Sequence, residues 1–188
     1  YHDAVKSAIP DLRAGARSRM RRTATAVALA AVCLLAQAAG DPRASRLYED
    51  ALQRFDKKDY AGAVIQLKNA LQIDKNMLSV HVLLGKALLE QDQPIPAEAA
   101  LLAAQRLGVS REELVVPLAR ATIDTGKPRT VLDDERFSDK GLSPGVRFEL
   151  LMLKARAADD LGDLRVAMQA IDAARSAEPR SEAPWIAE

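Results

Sequence analysis

The sequence predicts an all-α fold of antiparallel helix hairpins stacked one upon the next. Three observations carry that expectation. Helix formers dominate, aromatics are only 4% of the 188 residues, and no run of β-branched or aromatic residues alternates with period two. Apolar residues recur at helical spacing, as Ala63, Leu67, Ala70 and Leu71 do within "KKDYAGAVIQLKNALQID", Lys57 to Asp74. The chain also matches itself after a shift of 34 residues, room for two helices and their turns.

In chain order, residues 1–19 precede Met20 and read as an upstream extension outside the fold, the alternative being an overlong start to the signal that follows. Residues 20–38 read as an export signal. Arg21 and Arg22 give a positive start, Thr23 to Ala36 is an uncharged apolar run, and Ala36-Gln37-Ala38 is a small-residue cleavage site. A short membrane anchor is the competing reading, but a stable span needs about 20 strongly apolar residues. Cys33, the only cysteine, is a candidate for lipidation. The leucine three residues before it and the glycine or alanine just before it, usual in a lipoprotein signal, are missing. Cleavage after Ala38 leaves no cysteine, hence no disulfide or thiol site.

The solenoid is expected over residues 45–188, in units of about 45–77, 78–111, 112–145 and 148–181. A fifth starts at 182–188, where Trp185 opens a helix. Ala51 aligns with Gly85, Ala119 and Ala155, and Ala63 with Ala97, Val131 and Ala167. These small residues are expected where the two helices of a hairpin cross, because they let the backbones approach. Ala70, Ala104, Ser138 and Ala174 align in the same way and are expected to seat the next hairpin. The step from Ala119 to Ala155 is 36, with the extra residues placed in "KGLSPG", Lys140 to Gly145. "KKDY", "TGKP" and "LGDL" read as turns within hairpins.

The third unit departs from the pattern. Its first helix, Glu112 to Thr125, is regular. Its second, Pro128 to Glu135, is short and acidic, with Glu135 where a large apolar residue is expected, so packing should be weakest there. A stacked array also needs a polar capping helix. With none after Trp185, the expectation is the N-terminal piece of a longer repeat protein, or a truncated gene.

A 34-residue period, two helices per unit and small residues at repeat positions 8, 20 and 27 resemble the tetratricopeptide repeat (TPR). The resemblance runs from about Ser45 to Glu188. It implies a right-handed α-solenoid whose first helices line a concave surface through repeat positions 2, 5, 9, 12 and 13.

Charge and motifs exclude several function classes. The formal charge of +1 divides unevenly: residues before Ala39 hold six basic and two acidic side chains, leaving 21 and 24 beyond. That remainder has mixed signs and no basic stripe, which argues against nucleic acid. His2 lies in the extension, and His81 occupies a packing position. "TGKP" lacks the flanking residues of a P-loop, and the acidic Asp133 to Glu135 has no second ligand cluster. No catalytic residue, metal site or cofactor is expected, and the chain does not read as an enzyme.

The groove positions carry a charge pattern. Position 9 is Leu52, Lys86, Arg120 and Arg156; position 13 is Asp56, Glu90, Asp124 and Asp160. A partner-binding groove is therefore expected from Tyr48, Phe55, Lys86, Glu90, Arg120, Asp124, Arg156 and Asp160, holding an extended protein segment. The alternative is that each cation pairs with the anion four residues later on its own helix. Membrane contact is expected only through the N-terminal signal or a lipid anchor.

The stretches "DYAGAVIQLKNALQ", "LLGKALLE" and "A-E-x-x-L" at Ala97 to Leu101 resemble the PrsT family of PEP-CTERM/exosortase-system TPR lipoproteins. That resemblance implies a non-catalytic scaffold in the periplasm or envelope membrane of a Gram-negative bacterium, serving exopolysaccharide production and PEP-CTERM protein sorting. The alternative is an assembly subunit of an outer-membrane or polysaccharide-export machine, held by its outer or edge surfaces.

Overall fold

A computed structural model describes residues 41–177, which apart from Asp41 and Pro42 belong to one compact unit. The export signal, Cys33 and the fifth unit lie outside the described residues. Those described are all-helical: α1 (Pro42–Asp56), α2 (Tyr60–Ile73), α3 (Leu78–Glu90), α4 (Pro94–Arg106), α5 (Arg111–Asp124), α6 (Pro128–Asp133), α7 (Pro144–Asp160) and α8 (Leu164–Ala177), with a 3₁₀ turn at Glu135–Phe137. Successive helices pack in order, α2 on α3, α3 on α4, α4 on α5 and α7 on α8, while α5 also packs on α3 and on α7.

Local signals set the helix ends. Asp59 accepts a hydrogen bond from the Gly62 N–H at 2.9 Å, and Asp163 does the same for Val166 at 3.0 Å. Each carboxylate satisfies a donor that the first turn leaves free. The Gly62 N–H, and then the Arg54 guanidinium, hold Asp59 below the usual carboxylate range. Pro94, Pro128 and Pro144 stand at helix starts, where a missing N–H costs nothing.

The four turns that join α1 to α2, α3 to α4, α5 to α6 and α7 to α8 close in one way. Lys58, Asp92, Gly126 and Gly162 all have positive φ, at 62°, 56°, 77° and 74°. The next residue's N–H reaches back five residues: Asp59 to the Arg54 carbonyl, Gln93 to Leu88, Lys127 to Thr122 and Asp163 to Ala158, at 2.9–3.1 Å. This closure satisfies carbonyls that a helix C-terminus leaves open, and it requires one left-handed residue. Those residues are spaced by 34, 34 and 36 positions, the spacing seen in the sequence.

The core runs from α1 to α7 and is built from alanine, leucine and valine. Ala51, Ala63, Ala70, Ala87, Ala97, Ala104 and Ala119 are fully buried, as are Leu67, Leu101 and Leu150. Each such leucine contributes about 1.5–3 kcal/mol by leaving water. The alanines set how close the helices come. At Gly85 the fit between helices is close: a Cβ there would sit 2.5 Å from Cγ and 2.6 Å from Cδ2 of Leu101. A second cluster joins Leu151 of α7 to Ala174 and Ala177 of α8.

The third hairpin is completed differently from the sequence expectation. Glu135 is exposed, and the large apolar side chain is supplied two residues later by Phe137, which is fully buried. The Arg136 guanidinium lies 5.7 Å from the centre of its ring. Arg111 holds the following segment by donating to the carbonyls of Arg136 at 3.2 Å, Lys140 at 3.1 Å and Ser138. Glu112 accepts the Ser143 N–H at 3.1 Å. A cavity of about 540 Å³ remains beside this segment, lined by Val109, Leu114, Leu118 and Phe137 among others. Nearby, half-buried Lys154 is held below the usual lysine range by desolvation, which Asp139 and Glu135 oppose.

Candidate partner-binding cleft

One helix from each hairpin, α1, α3, α5 and α7, contributes to a cleft of about 380 Å³. Its apolar lining is Phe55, Leu89, Val116, Pro117 and Val146; its charged lining is Lys86, Glu90, Glu112, Glu113, Arg120 and Glu149. Phe55 is fixed edge-on against Tyr60, with ring centroids 5.2 Å apart. Of the expected groove residues, the cleft brings together Phe55, Lys86, Glu90 and Arg120. Tyr48 instead packs against the core. Asp160 is exposed and, like Tyr48, Asp124 and Arg156, lies outside the cleft lining.

The charged row pairs differently from the self-pairing alternative. Arg120 Nη1 lies 2.7 Å from Glu90 of the preceding hairpin, and Arg156 Nη2 lies 2.8 Å from Asp124 of the preceding hairpin. The pair within one helix, Arg120 to Asp124, is longer at 3.8 Å. Physical chemistry favours this outcome, because a cation four residues before an anion is the poorer order within a helix. The row therefore runs Glu90, Arg120, Asp124, Arg156 and ties three hairpins together. Lys86 makes no ion pair among the described residues.

The sequence reading missed Glu112, Glu113, Val116, Pro117, Val146 and Glu149. A signal for two of them was available. Glu113 and Glu149 are 36 residues apart, both at repeat position 2, a groove position. Glu112 is occupied by the Ser143 N–H, whereas no hydrogen bond or ion pair engages the side chains of Glu113 and Glu149 among the described residues. Pro117 lies inside α5. It has no N–H to offer the Glu113 carbonyl one turn back, so that oxygen lacks its helical donor.

The other sequence candidates make local contacts. His81 Nε2 donates to the Lys75 carbonyl at 2.9 Å and anchors the start of α3. Asp134 accepts the Arg136 N–H at 2.9 Å and pairs with the Arg136 guanidinium at 2.7 Å, capping the 3₁₀ turn. "TGKP" is the turn between α5 and α6, with Gly126 as its left-handed residue. Among the described residues, no helix is long and apolar enough to cross a membrane. Compared with known proteins, the chain matches no family model, and no curated protein matches it at a significant level.

Proposed function

We propose that this chain is an exported, non-catalytic scaffold, a right-handed TPR α-solenoid that holds an extended segment of a protein partner along the face formed by α1, α3, α5 and α7. The observation that carries this reading is the cleft itself. Residues from all four of those helices converge on one space of about 380 Å³ with apolar walls and charged rims. A segment lying across several parallel helices meets such a row of side chains at regular intervals, which suits an extended chain. The recurring left-handed turn residues at 58, 92, 126 and 162 support the repeat reading. The family resemblance supports a role in exopolysaccharide production and PEP-CTERM protein sorting at the envelope of a Gram-negative bacterium.

A second reading, an assembly subunit held by its other face, is favoured by the exposed apolar side chains of α2, α4 and α8. Ile65, Ile95 and Met168 are 59%, 73% and 58% exposed. Site-specific photo-crosslinking in a Gram-negative host separates the two. Adducts to a protein from position 116 and none from positions 65 and 95 are expected for the cleft. Adducts from 65 and 95 alone would replace the first reading with the second.

A further inference from the structure

We infer that the segment taken by the cleft is cationic, with a lysine or arginine set beside an apolar residue. This rests on the cleft being a partner-binding surface and names the chemistry of what it binds. The charges around the space do not balance. Four carboxylates (Glu90, Glu112, Glu113, Glu149) face two cations (Lys86, Arg120), a net of −2. Arg120 is already committed to Glu90 at 2.7 Å and approaches Asp124 at 3.8 Å. Glu112 is committed to the Ser143 N–H. What remains open is Glu113 and Glu149 against Lys86 alone.

The neutral groups point the same way. The Glu113 carbonyl, to which Pro117 cannot donate, is a further backbone acceptor on α5, where Glu113 and Pro117 both line the cleft. Acceptors beside carboxylates suit a donor-rich cation, and an ammonium or guanidinium supplies three or five N–H groups with no acceptor. The apolar walls at Leu89, Val116 and Val146 suit the methylene stem of the same side chain or an apolar neighbour. An acidic segment would add charge to a space already negative and meet Lys86 as its one uncommitted cation among the lining residues.

The test uses the full chain and two labelled, end-capped octapeptides, one alternating lysine with valine and one alternating glutamate with valine, read by fluorescence anisotropy. The lysine peptide is expected to bind about tenfold more tightly than the glutamate peptide at about 50 mM salt and to lose most of that advantage at about 500 mM. Replacing both open carboxylates, Glu113→Gln with Glu149→Gln, should weaken the lysine peptide by about tenfold. The control removes the same charge elsewhere through Asp159→Asn with Asp172→Asn, both exposed, and should change binding less than about twofold. Circular dichroism checks that each variant is folded. Equal binding of both peptides, no binding of either, or equal losses in the two double variants would overturn the inference. A position-116 crosslink that persists undiminished in the E113Q/E149Q chain would leave the cleft as the partner site and remove its preference for cations. No crosslink at position 116 in the unaltered chain would remove the cleft reading itself.

Discussion

Substituting Gly85 with alanine tests how closely the hairpins are fitted. In an uncrowded helix this change is favourable by about 0.8–1 kcal/mol. Here the new methyl would lie 2.5 Å and 2.6 Å from two carbons of Leu101, well inside the roughly 3.5–4.0 Å at which carbon atoms rest. Leu101 is fully buried and has no solvent to move into. Overpacking of this kind costs about 1–3 kcal/mol, so the net effect should be a loss of up to about 2 kcal/mol. The sign should reverse in a Leu101→Ala background. All three crowding atoms, Cγ, Cδ1 and Cδ2, are then gone, and the extra methyl regains its helical advantage. The coupling energy of the cycle should be about 1–3 kcal/mol. Urea unfolding of the four proteins, followed by helical circular dichroism, measures it. A Gly85→Ala chain more stable than the original, in the native background, would refute the reasoning.

Four further outcomes are expected. Removing Arg120 and Arg156 together, each to glutamine, should cost about 0.2–1 kcal/mol per pair in low salt, since the four partners are 20–50% exposed. The loss should fade near about 1 M salt, and a thermal midpoint equally lowered at both salt levels would mean that the pairs are not its cause. Phe137→Ala should cost about 3–5 kcal/mol and speed tryptic cleavage after Lys140; a near-neutral melt would show that the third hairpin is closed by something else. Lys58→Gly should stabilise by about 0.5–1 kcal/mol, because a left-handed lysine costs more than the entropy glycine adds; a lower urea midpoint would count against that turn geometry. Burial lowers the affinity of Lys154 for its proton in the fold, so the unfolded chain binds more protons between that lowered value and the ordinary 10.5. Stability should therefore rise with pH through that window, and Lys154→Met should flatten the rise in urea midpoints measured from neutral to alkaline pH.

Much of the helical layout was legible in the residues. Small side chains at 51, 85 and 119 and turn residues at 58, 92, 126 and 162 are local features, and local features repeat in the sequence. The row of opposite charges was legible as well, but not its pairing. Sequence spacing shows that Arg120 can reach Asp124 along one helix. It does not show that Glu90, 30 residues away, is nearer. Phe137 escaped notice for a related reason. The register assigned the apolar role to position 135, and the chain meets it through a 3₁₀ turn that moves the side chain two residues on. Glu113 and Glu149 were not legible because they flank the longer third unit and because the same position is Ser45 and Ser79 in the first two units, so no charge recurs there along the whole array.

The bridges between hairpins have a direction. Each cation, Arg120 or Arg156, reaches toward the hairpin before it, and each acid, Glu90 or Asp124, faces the hairpin after it. Two hairpins brought together head to head would set like charges opposite one another. The ladder therefore works as a key for orientation as much as a bond. It admits a neighbour in one sense along the chain and disfavours the inverted one. A contact of that type, with different surfaces on its two sides, does not close upon itself but can be repeated. Asp160 holds the corresponding repeat position on α7 and is exposed.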